Sequence, residues 1–458
     1  MPSRTPIIAI VGRANVGKSS LYNAILGKRE AIIAREAGTT RDSVMNKVNF
    51  NNQEFWLVDT AGMKDPEDDF EFTIQEQIIQ ATESADIIIV MVEADIPFND
   101  EDRKVVKMAL KSNKKTVLVI NKIDQLTKGN EPEHFKKVGI KDYILMSVTQ
   151  RKGVDQLLSY ILKSIPKIES KEISKSQEDQ ISIALIGRPN VGKSQLFNNI
   201  LNKQQAIVSE RAGTTRDLNR SNVKYHGTNL TFIDTAGIRR SGKIEVGIEK
   251  FSVLRTIAAI EESDICLLLM ESNELNVQLD QKLAGLIKAA SKGLILVISK
   301  WDIVEEKDPY LFDSLARQIR SNFDFIPWAP LIYTSAITGQ NVTKIFDIVL
   351  DINKNRGLKL TTPILNKWLM RKVSAHPPAG LKNRTPKLNY IIQEKDNPAP
   401  AFKIFGSHTK YLHWSYKRYL ERQLREEFGF EGTAIELWFI EKHVTHKVGE
   451  RPIANKTI

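Results

Sequence analysis

Residues 11–32 read VGRANVGKSSLYNAILGKREAI, and residues 186–207 read IGRPNVGKSQLFNNILNKQQAI. Each stretch follows an apolar run, IIAIVG in one case and ISIALIG in the other, and leads into a pattern of helical period. Gly12 and Gly187 lie 175 positions apart, as do Lys18 and Lys193, Thr39 and Thr214, and Asp59 and Asp234. Past Gly237 the spacing drifts, so that Asp124 and Asp302 differ by 178. A register held without insertion over about fifty residues, at a period far longer than any solenoid unit, is a duplicated domain.

Outward from these loops, each copy alternates apolar strands with amphipathic stretches. The first contains FWLVDTAG, DIIIVMVEA, TVLVINKID and YILMSV; the second contains LTFIDTAG, DICLLLMES, LILVISKWD and LIYTSA. Alternating strand and helix patterns with nearly continuous apolar strands predict an α/β fold in each copy, a mostly parallel sheet with helices on both faces.

Composition narrows the class. The chain has 458 residues, too many for one core, with 41% hydrophobic and 26% charged residues and no low-complexity tract. Its longest apolar runs, Ile87–Val92 and Ile265–Met270, fall short of the ~20 residues a membrane span needs. MPSRTPIIAIVG lacks a secretory cleavage pattern, and Cys266, the single cysteine, sits inside an apolar run, so a cytoplasmic protein is expected. One cysteine and scattered histidines argue against zinc. The net charge of +11 is uneven: residues 356–458 hold 19 Lys+Arg against 9 Asp+Glu, a net of +10. A basic module behind two nearly neutral ones points to a polyanionic partner.

Gly12–Ser19 and Gly187–Ser194 fit G-x-x-x-x-G-K-[ST], each between a strand and a helix. Such a loop closes backbone N–H groups around phosphates. The expected contacts come from Gly12, Arg13, Ala14, Asn15, Val16, Gly17, Lys18 and Ser19, and from Gly187, Arg188, Pro189, Asn190, Val191, Gly192, Lys193 and Ser194. Lys18 and Lys193 reach the β/γ oxygens, while Ser19 and Ser194 ligate Mg²⁺. DTAG follows in both copies. Asp59 and Asp234 are expected in the Mg²⁺ shell, and Gly62 and Gly237 at the γ-phosphate, within the contact segments Thr60–Met63 (Thr60, Ala61, Gly62, Met63) and Thr235–Ile238 (Thr235, Ala236, Gly237, Ile238). AGTTRD recurs upstream, with Thr40 and Thr215 expected to close on Mg²⁺.

NKID selects the base. A carboxylate at Asp124 accepts from the adjacent N1–H and N2–H₂ donors of guanine, which adenine lacks. Asn121, Lys122, Ile123 and Asp124 are the first base-binding set; Ser299, Lys300, Trp301 and Asp302 are the second. Asp302 retains guanine, whereas Ser299 cannot span what an Asn amide spans, so weaker binding is expected at the second site. Ser147–Thr149 and Thr334–Ala336 stand where a backbone N–H would meet the base oxygen. Met63 and Ile238 occupy the place of a water-orienting Gln, and an apolar side chain cannot orient water. Asn15 and Asn190 offer carboxamide oxygens to a monovalent cation that would add positive charge there. The plainer reading of the same asparagines is loop stabilisation.

These features together resemble the EngA (Der) family of tandem GTPases. The third part adds to the resemblance through SYKRYLERQLREEFGFEGTAIEL, Ser415–Leu437, a basic helix leading through a Gly turn into a strand. The resemblance implies GTPase domains at 1–165 and 181–353, a linker at 166–180, an α+β KH-like RNA-binding domain at 354–446 and a basic tail at 447–458. It further implies GTP hydrolysis, GTP/GDP and Mg²⁺ as ligands, K⁺ stimulation through Asn15 and Asn190, and a role on the large ribosomal subunit and its rRNA. No DNA or membrane partner is expected, and the chain is expected to be a monomer. Ser299, Val148 and Ala434 depart from the family's usual Asn, Ala and Pro. GFEG, Gly429–Gly432, is read as a helix stop rather than an RNA-clamping loop, since it precedes a strand. The competing classes are a signalling or membrane-associated GTPase whose C-terminal module binds protein or anionic lipid, and a small-molecule kinase, which conflicts with NKID.

Overall fold

The structure is a computed structural model. It describes residues 5–27, 32–33, 45–51, 53–59, 84–126, 135, 138–165, 180–203, 219–234, 253–275, 278–304, 309–379, 384–395 and 397–441. The chain divides into two compact units, 1–353 and 354–458.

The first unit holds two sheets, one per repeat. In chain order the strands of the first are β1 (Ile7–Val11), β2 (Ile32–Ile33), β3 (Met45–Phe50), β4 (Gln53–Asp59), β5 (Ile87–Glu93), β6 (Lys115–Asn121) and β7 (Tyr143–Leu145). They lie in the order β2-β3-β4-β1-β5-β6-β7, with β4-β1-β5-β6-β7 parallel and β2-β3-β4 antiparallel. Strands β1 and β5 are buried along their whole length, which is what IIAIV and IIIVMVE require when helices cover both faces.

The second sheet repeats the plan. Its strands are β8 (Gln180–Gly187), β9 (Asn219–Tyr225), β10 (Thr228–Asp234), β11 (Ile265–Glu271), β12 (Gly293–Ser299) and β13 (Leu331–Tyr333), ordered β13-β12-β11-β8-β10-β9. Strand β8 starts at Gln180, one residue inside the segment expected to be linker. Cys266 is buried in β11, as its apolar setting predicts.

Helices α1 (Lys18–Leu26), α2 (Asp100–Lys111) and α3 (Val154–Ser164) pack on the first sheet. Helix α2 shows why the chain turns helical where it does. Asn99 caps it by accepting from Asp102 N, Asp102 reaches back to Asn99 N, and Asp100, Glu101 and Asp102 place negative charge at the positive end of the helix dipole. Helices α4 (Lys193–Lys203), α5 (Val253–Glu262), α6 (Gln278–Ala289), α7 (Pro309–Asn322) and α8 (Val342–Arg356) follow in the second repeat.

Glu261 joins the two repeats inside this unit through two hydrogen bonds. The Trp56 indole N–H donates to Glu261 Oε1, and the Thr5 backbone N–H donates to Glu261 Oε2 at 3.3 Å. Trp56 and Glu261 are both buried.

The second unit contains α9 (Thr362–Ala375), β14 (Lys387–Gln393), β15 (Ala401–Ser407), α10 (Trp414–Phe428) and β16 (Glu436–Glu441). Pro363 in the first turn of α9 has no N–H to lose there. The sheet runs β14-β15-β16, with β14 antiparallel and β16 parallel to β15. Leu365, Trp368 and Leu369 of α9 and Tyr416, Leu420 and Leu424 of α10 close over Ile391, Phe402 and Ile404. Gly429, at φ 90, ends α10, and the segment to Gly432 turns the chain into β16, so GFEG is a helix stop.

Candidate functional site

Each repeat carries a loop between its first strand and first helix, and backbone geometry explains its residues. Gly12 lies at φ 153, and a Cβ there would sit 2.5 Å from Met91 O; at Gly17, φ 98, it would sit 2.5 Å from Asn121 Nδ2. Only glycine lets β1 turn into α1 this close to the neighbouring strand. Asn15 and Asn190 lie at φ 65 and φ 63, the left-handed region that Asn tolerates better than most residues. That conformation alone is a reason for Asn at both positions, and both side chains remain exposed.

Lys18 is buried and its ammonium donates to Gly12 O at 2.8 Å and Arg13 O at 2.6 Å. Burial lowers its pKa below the ordinary lysine value; Asp59 opposes this, and Arg13 adds to it. A cation kept dry at the mouth of a helix N-terminus suits phosphate oxygens. Lys193 repeats the arrangement, 3.2 Å from Gly187 O and 2.7 Å from Arg188 O. Ser19 Oγ donates to Asp59 Oδ2 at 2.6 Å, so one hydroxyl and one carboxylate, both hard oxygen donors, converge beside the loop. This set fits Mg²⁺, which prefers few protein ligands plus phosphate oxygens. Ser194 lies in the first turn of the equivalent helix, and Asp234 ends β10, paired with Asn219.

The base-binding segments differ between the repeats in a way that geometry resolves. Asn121 is buried; its Nδ2 donates to Val16 O at 2.9 Å and its Oδ1 accepts from Val148 N at 3.2 Å. One carboxamide thus ties the phosphate loop to the segment beginning at Ser147. Ser299 Oγ donates to Val191 O at 2.6 Å and Met270 O at 3.1 Å. The first tie is kept, but a hydroxyl is too short for the second. Backbone pairing matches Ser147 N→Lys152 O with Ser335 N→Gln340 O, so Ser335 stands where Ser147 does and Ala336 where Val148 does. Asp124 is exposed at the mouth of its site, and Asp302 Oδ1 accepts from Ser335 Oγ at 2.5 Å. A cavity lined by Gly192, Gln195, Ser299, Lys300, Asp302, Thr334 and Ala336 adjoins the second site.

Several side chains expected at the nucleotide face elsewhere. Trp301 is fully buried among Phe312 and Tyr333, with ring centroids at 4.9 and 4.5 Å, so it is core and only its backbone belongs to the SKWD turn. Its inward direction follows from Lys300 at φ 55, which starts a single 3-10 turn. Val16 and Val191 are buried too, and offer backbone oxygen rather than side chain. Ala14 is exposed, and Pro189 and Ile123 are half-buried.

Arg13 turns away from the loop mouth to Glu93 at 2.7 Å and Asp102 at 3.5 Å. Arg188 does the same with Glu274 at 2.7 Å and Asp280 at 3.2 Å. Glu93 also takes the Lys122 ammonium, and Lys300 pairs with Glu271 at 2.9 Å. Glu93 and Glu271 end strands, Asp102 and Asp280 stand in the first turns of α2 and α6, and Glu274 follows β11; in the first repeat Glu93 ties the phosphate loop to the base turn, whereas in the second separate carboxylates hold Arg188 and Lys300. Sequence reasoning missed them; the signal available was a charged residue closing an otherwise apolar strand. Burial raises the Asp102 carboxyl above its ordinary value. It pushes Asp280 up to about 6, against the attraction of Arg188. Arg188, facing two carboxylates, is held above its ordinary value despite burial. Both shifts are upward, keeping Arg188 charged and bringing Asp280 only to about 6, so near neutral pH both are ionised.

Thr40, Thr60, Ala61, Gly62, Met63, Thr215, Thr235, Ala236, Gly237 and Ile238 lie outside the described residues. Among the described residues no cluster of His, Cys, Asp and Glu has metal-site geometry, and no helix is long and apolar enough to cross a membrane.

Comparisons with known proteins align with these two loops and the third module. The family described as "50S ribosome-binding GTPase" matches residues 7–122 and again 182–300, and the "KH-domain-like of EngA bacterial GTPase enzymes, C-terminal" family matches residues 359–439. A protein of Gemmatimonas aurantiaca named GTPase Der is 37% identical over 94% of this chain and 98% of its own length. GTPase Der of Chloroflexus aggregans is 39% identical over 95% and 97%, and that of Thermomicrobium roseum 37% identical over 99% of both chains. Two glycine-rich loops in register, the NKID and SKWD turns beside them and a KH-like C-terminal module, matched along nearly its whole length, place this chain in the Der (EngA) family of tandem GTPases, which use guanine nucleotide and Mg²⁺.

Proposed function

We propose that this chain is a GTP-hydrolysing switch in the assembly of the large ribosomal subunit, binding rRNA through its basic C-terminal unit. The observation that carries the reading is the joining, in one chain, of two sites of the same plan to a C-terminal region, residues 356–458, of net charge +10. In each site Lys18 or Lys193 would neutralise the β/γ phosphates, and Asp124 or Asp302 would select guanine. Ser19 with Asp59, and Ser194 with Asp234, would hold Mg²⁺, which when bound screens the phosphate charge that builds during hydrolysis. Thr40, Thr215, Gly62 and Gly237 would close on the ligand when GTP is present. The protein acts in the cytoplasm as a monomer, without DNA.

Hydrolysis is stimulated by K⁺ held through the carboxamides of Asn15 and Asn190, which are exposed at the loop mouths. The test of the wider reading is sedimentation of lysate in GTP or GDP: the protein should travel with large-subunit particles in one nucleotide state. Equal distribution away from ribosomal particles in both would refute it. For the cation, rates in K⁺ should exceed those in Na⁺ at matched ionic strength, and replacing both asparagines with Ala should remove the difference while leaving GDP bound. Equal rates in both salts sink that part.

A further inference from the structure

The C-terminal unit sorts its basic residues into two sets. One set is neutralised internally. Arg371 and Lys372 of α9 pair with Glu427, Arg422 with Glu426 at 3.6 Å, and Arg425 with Glu421 at 2.8 Å while its guanidinium also donates to Phe430 O and Thr433 O. Trp368 and Tyr416, which alternate with these residues in the sequence, are core.

The other set is different. Arg384 and Lys410 lie over the Tyr411 ring at 5.5 and 5.3 Å, Arg418 over Trp414 at 4.9 Å, and Lys417 over Phe439 at 5.1 Å. All four cations are exposed, and among the described residues none lies within ion-pair distance of a carboxylate. Trp414 is 59% exposed, at the first turn of α10, against His413 at 5.4 Å. Aromatic rings held at the surface under uncompensated cations offer two things at once: a plane for a base and a charge for its phosphate.

We propose that this surface, the turn Thr409–Tyr411 with the first turns of α10, binds single-stranded RNA. Unpaired bases stack on Trp414 and Tyr411, and phosphates sit on Arg384, Lys410, Lys417 and Arg418. A duplex buries its base faces in its own stack, so the exposed Trp414 ring and the half-buried Tyr411 ring could reach only a strand that is not paired. The inference rests on the reading of an RNA-directed switch and narrows it to a site and a ligand form.

The test uses the full chain, a fluorescein-labelled 12-nucleotide oligouridylate, and an RNA duplex of the same length, followed by anisotropy at two salt concentrations. The single strand should bind more tightly than the duplex. Trp414→Ala should weaken it roughly five- to hundredfold, the effect of losing one stacked base, and Trp414→Phe by less than about threefold. Replacing Lys417 and Arg418 together with Ala should flatten the salt dependence by about 1.4 in log–log slope, two phosphates' worth for a single strand. Replacing Arg371 and Arg422, both already paired, should change little. Trp414 is exposed, so none of these losses can come from a collapsed core.

The proposal is overturned by a duplex that binds as tightly as the single strand, by Trp414→Ala binding like the parent, or by no oligouridylate binding at all. Binding to phosphatidylglycerol vesicles in place of RNA overturns it as well and assigns the surface to a membrane. If oligouridylate binding fails while the parent still sediments with large-subunit particles, this site is wrong and the wider reading stands; if both fail, both fall.

Discussion

Asn121→Ser would convert the first base-binding turn into the second. Asn121 makes two buried hydrogen bonds, to Val16 O at 2.9 Å and from Val148 N at 3.2 Å. Ser in its place keeps the first, as Ser299 does with Val191 O, and leaves the Val148 N–H without an acceptor. A buried donor left unmade costs about 1–3 kcal/mol. That cost falls on the ordered segment at Ser147–Thr149, so a nucleotide that needs the segment in place must restore it on binding. Apparent affinity falls by the fraction of chains still ordered, between about fivefold and 150-fold for that energy range. GDP and GTP should lose equally, since the γ-phosphate is remote from this segment. The converse change, Ser299→Asn, should tighten the second site several-fold, because Asn can regain the span to Ala336 N. Calorimetric titration of GDP and of a non-hydrolysable GTP analogue measures both, with the other site disabled by Lys193→Ala or Lys18→Ala. An Asn121→Ser affinity within twofold of the parent, or a loss for one nucleotide more than threefold larger than for the other, would refute the bridging role.

Asp124→Asn should move the first site from guanine toward xanthine nucleotides, with GDP weakened more than about tenfold for the loss of a charged hydrogen bond that the bound base would cover; competition binding with XDP in a Lys193→Ala background checks it. Asp280, with a folded-state value of about 6 against 3.8, binds its proton more tightly folded than unfolded. Its contribution is therefore full at acid pH and is lost as pH rises through about 4 to 6, about 3 kcal/mol in all. Asp280→Asn should flatten the thermal midpoint across that window, and a parent midpoint that does not fall there relative to the variant contradicts the assignment. Glu261→Ala strands the Trp56 indole N–H and the Thr5 N–H, and should cost about 1–3 kcal/mol, read as a lower denaturant midpoint, whereas Glu261→Gln should recover part of it.

Much of the nucleotide site is legible in sequence because a phosphate loop is a local object. Gly12, Asn15, Gly17 and Lys18 act through backbone angles and reach within one turn, and those angles are what restrict the residue types. The same holds for the strand and helix alternation, which is written in period. Trp301 marks the limit: the SKWD spacing is that of a base-binding turn, yet its side chain direction was decided by Phe312 and Tyr333 closing around it. Glu93 escaped notice because its value lies in joining Arg13, 80 positions away, to Lys122.

The basic module shows the division most plainly. By itself the sequence determined its charge, its aromatic content and the basic helix that carries Lys417, Arg418, Arg422 and Arg425. It could not determine which cations are already spent, since Arg371 meets Glu427 across 56 positions while Arg418 lies over the Trp414 ring. Charge is additive along a chain, but compensation is a matter of distances of a few ångströms. The packing of α9 against α10 brings Arg371 and Lys372 to Glu427, while among the described residues no carboxylate comes within ion-pair distance of Arg384, Lys410, Lys417 or Arg418.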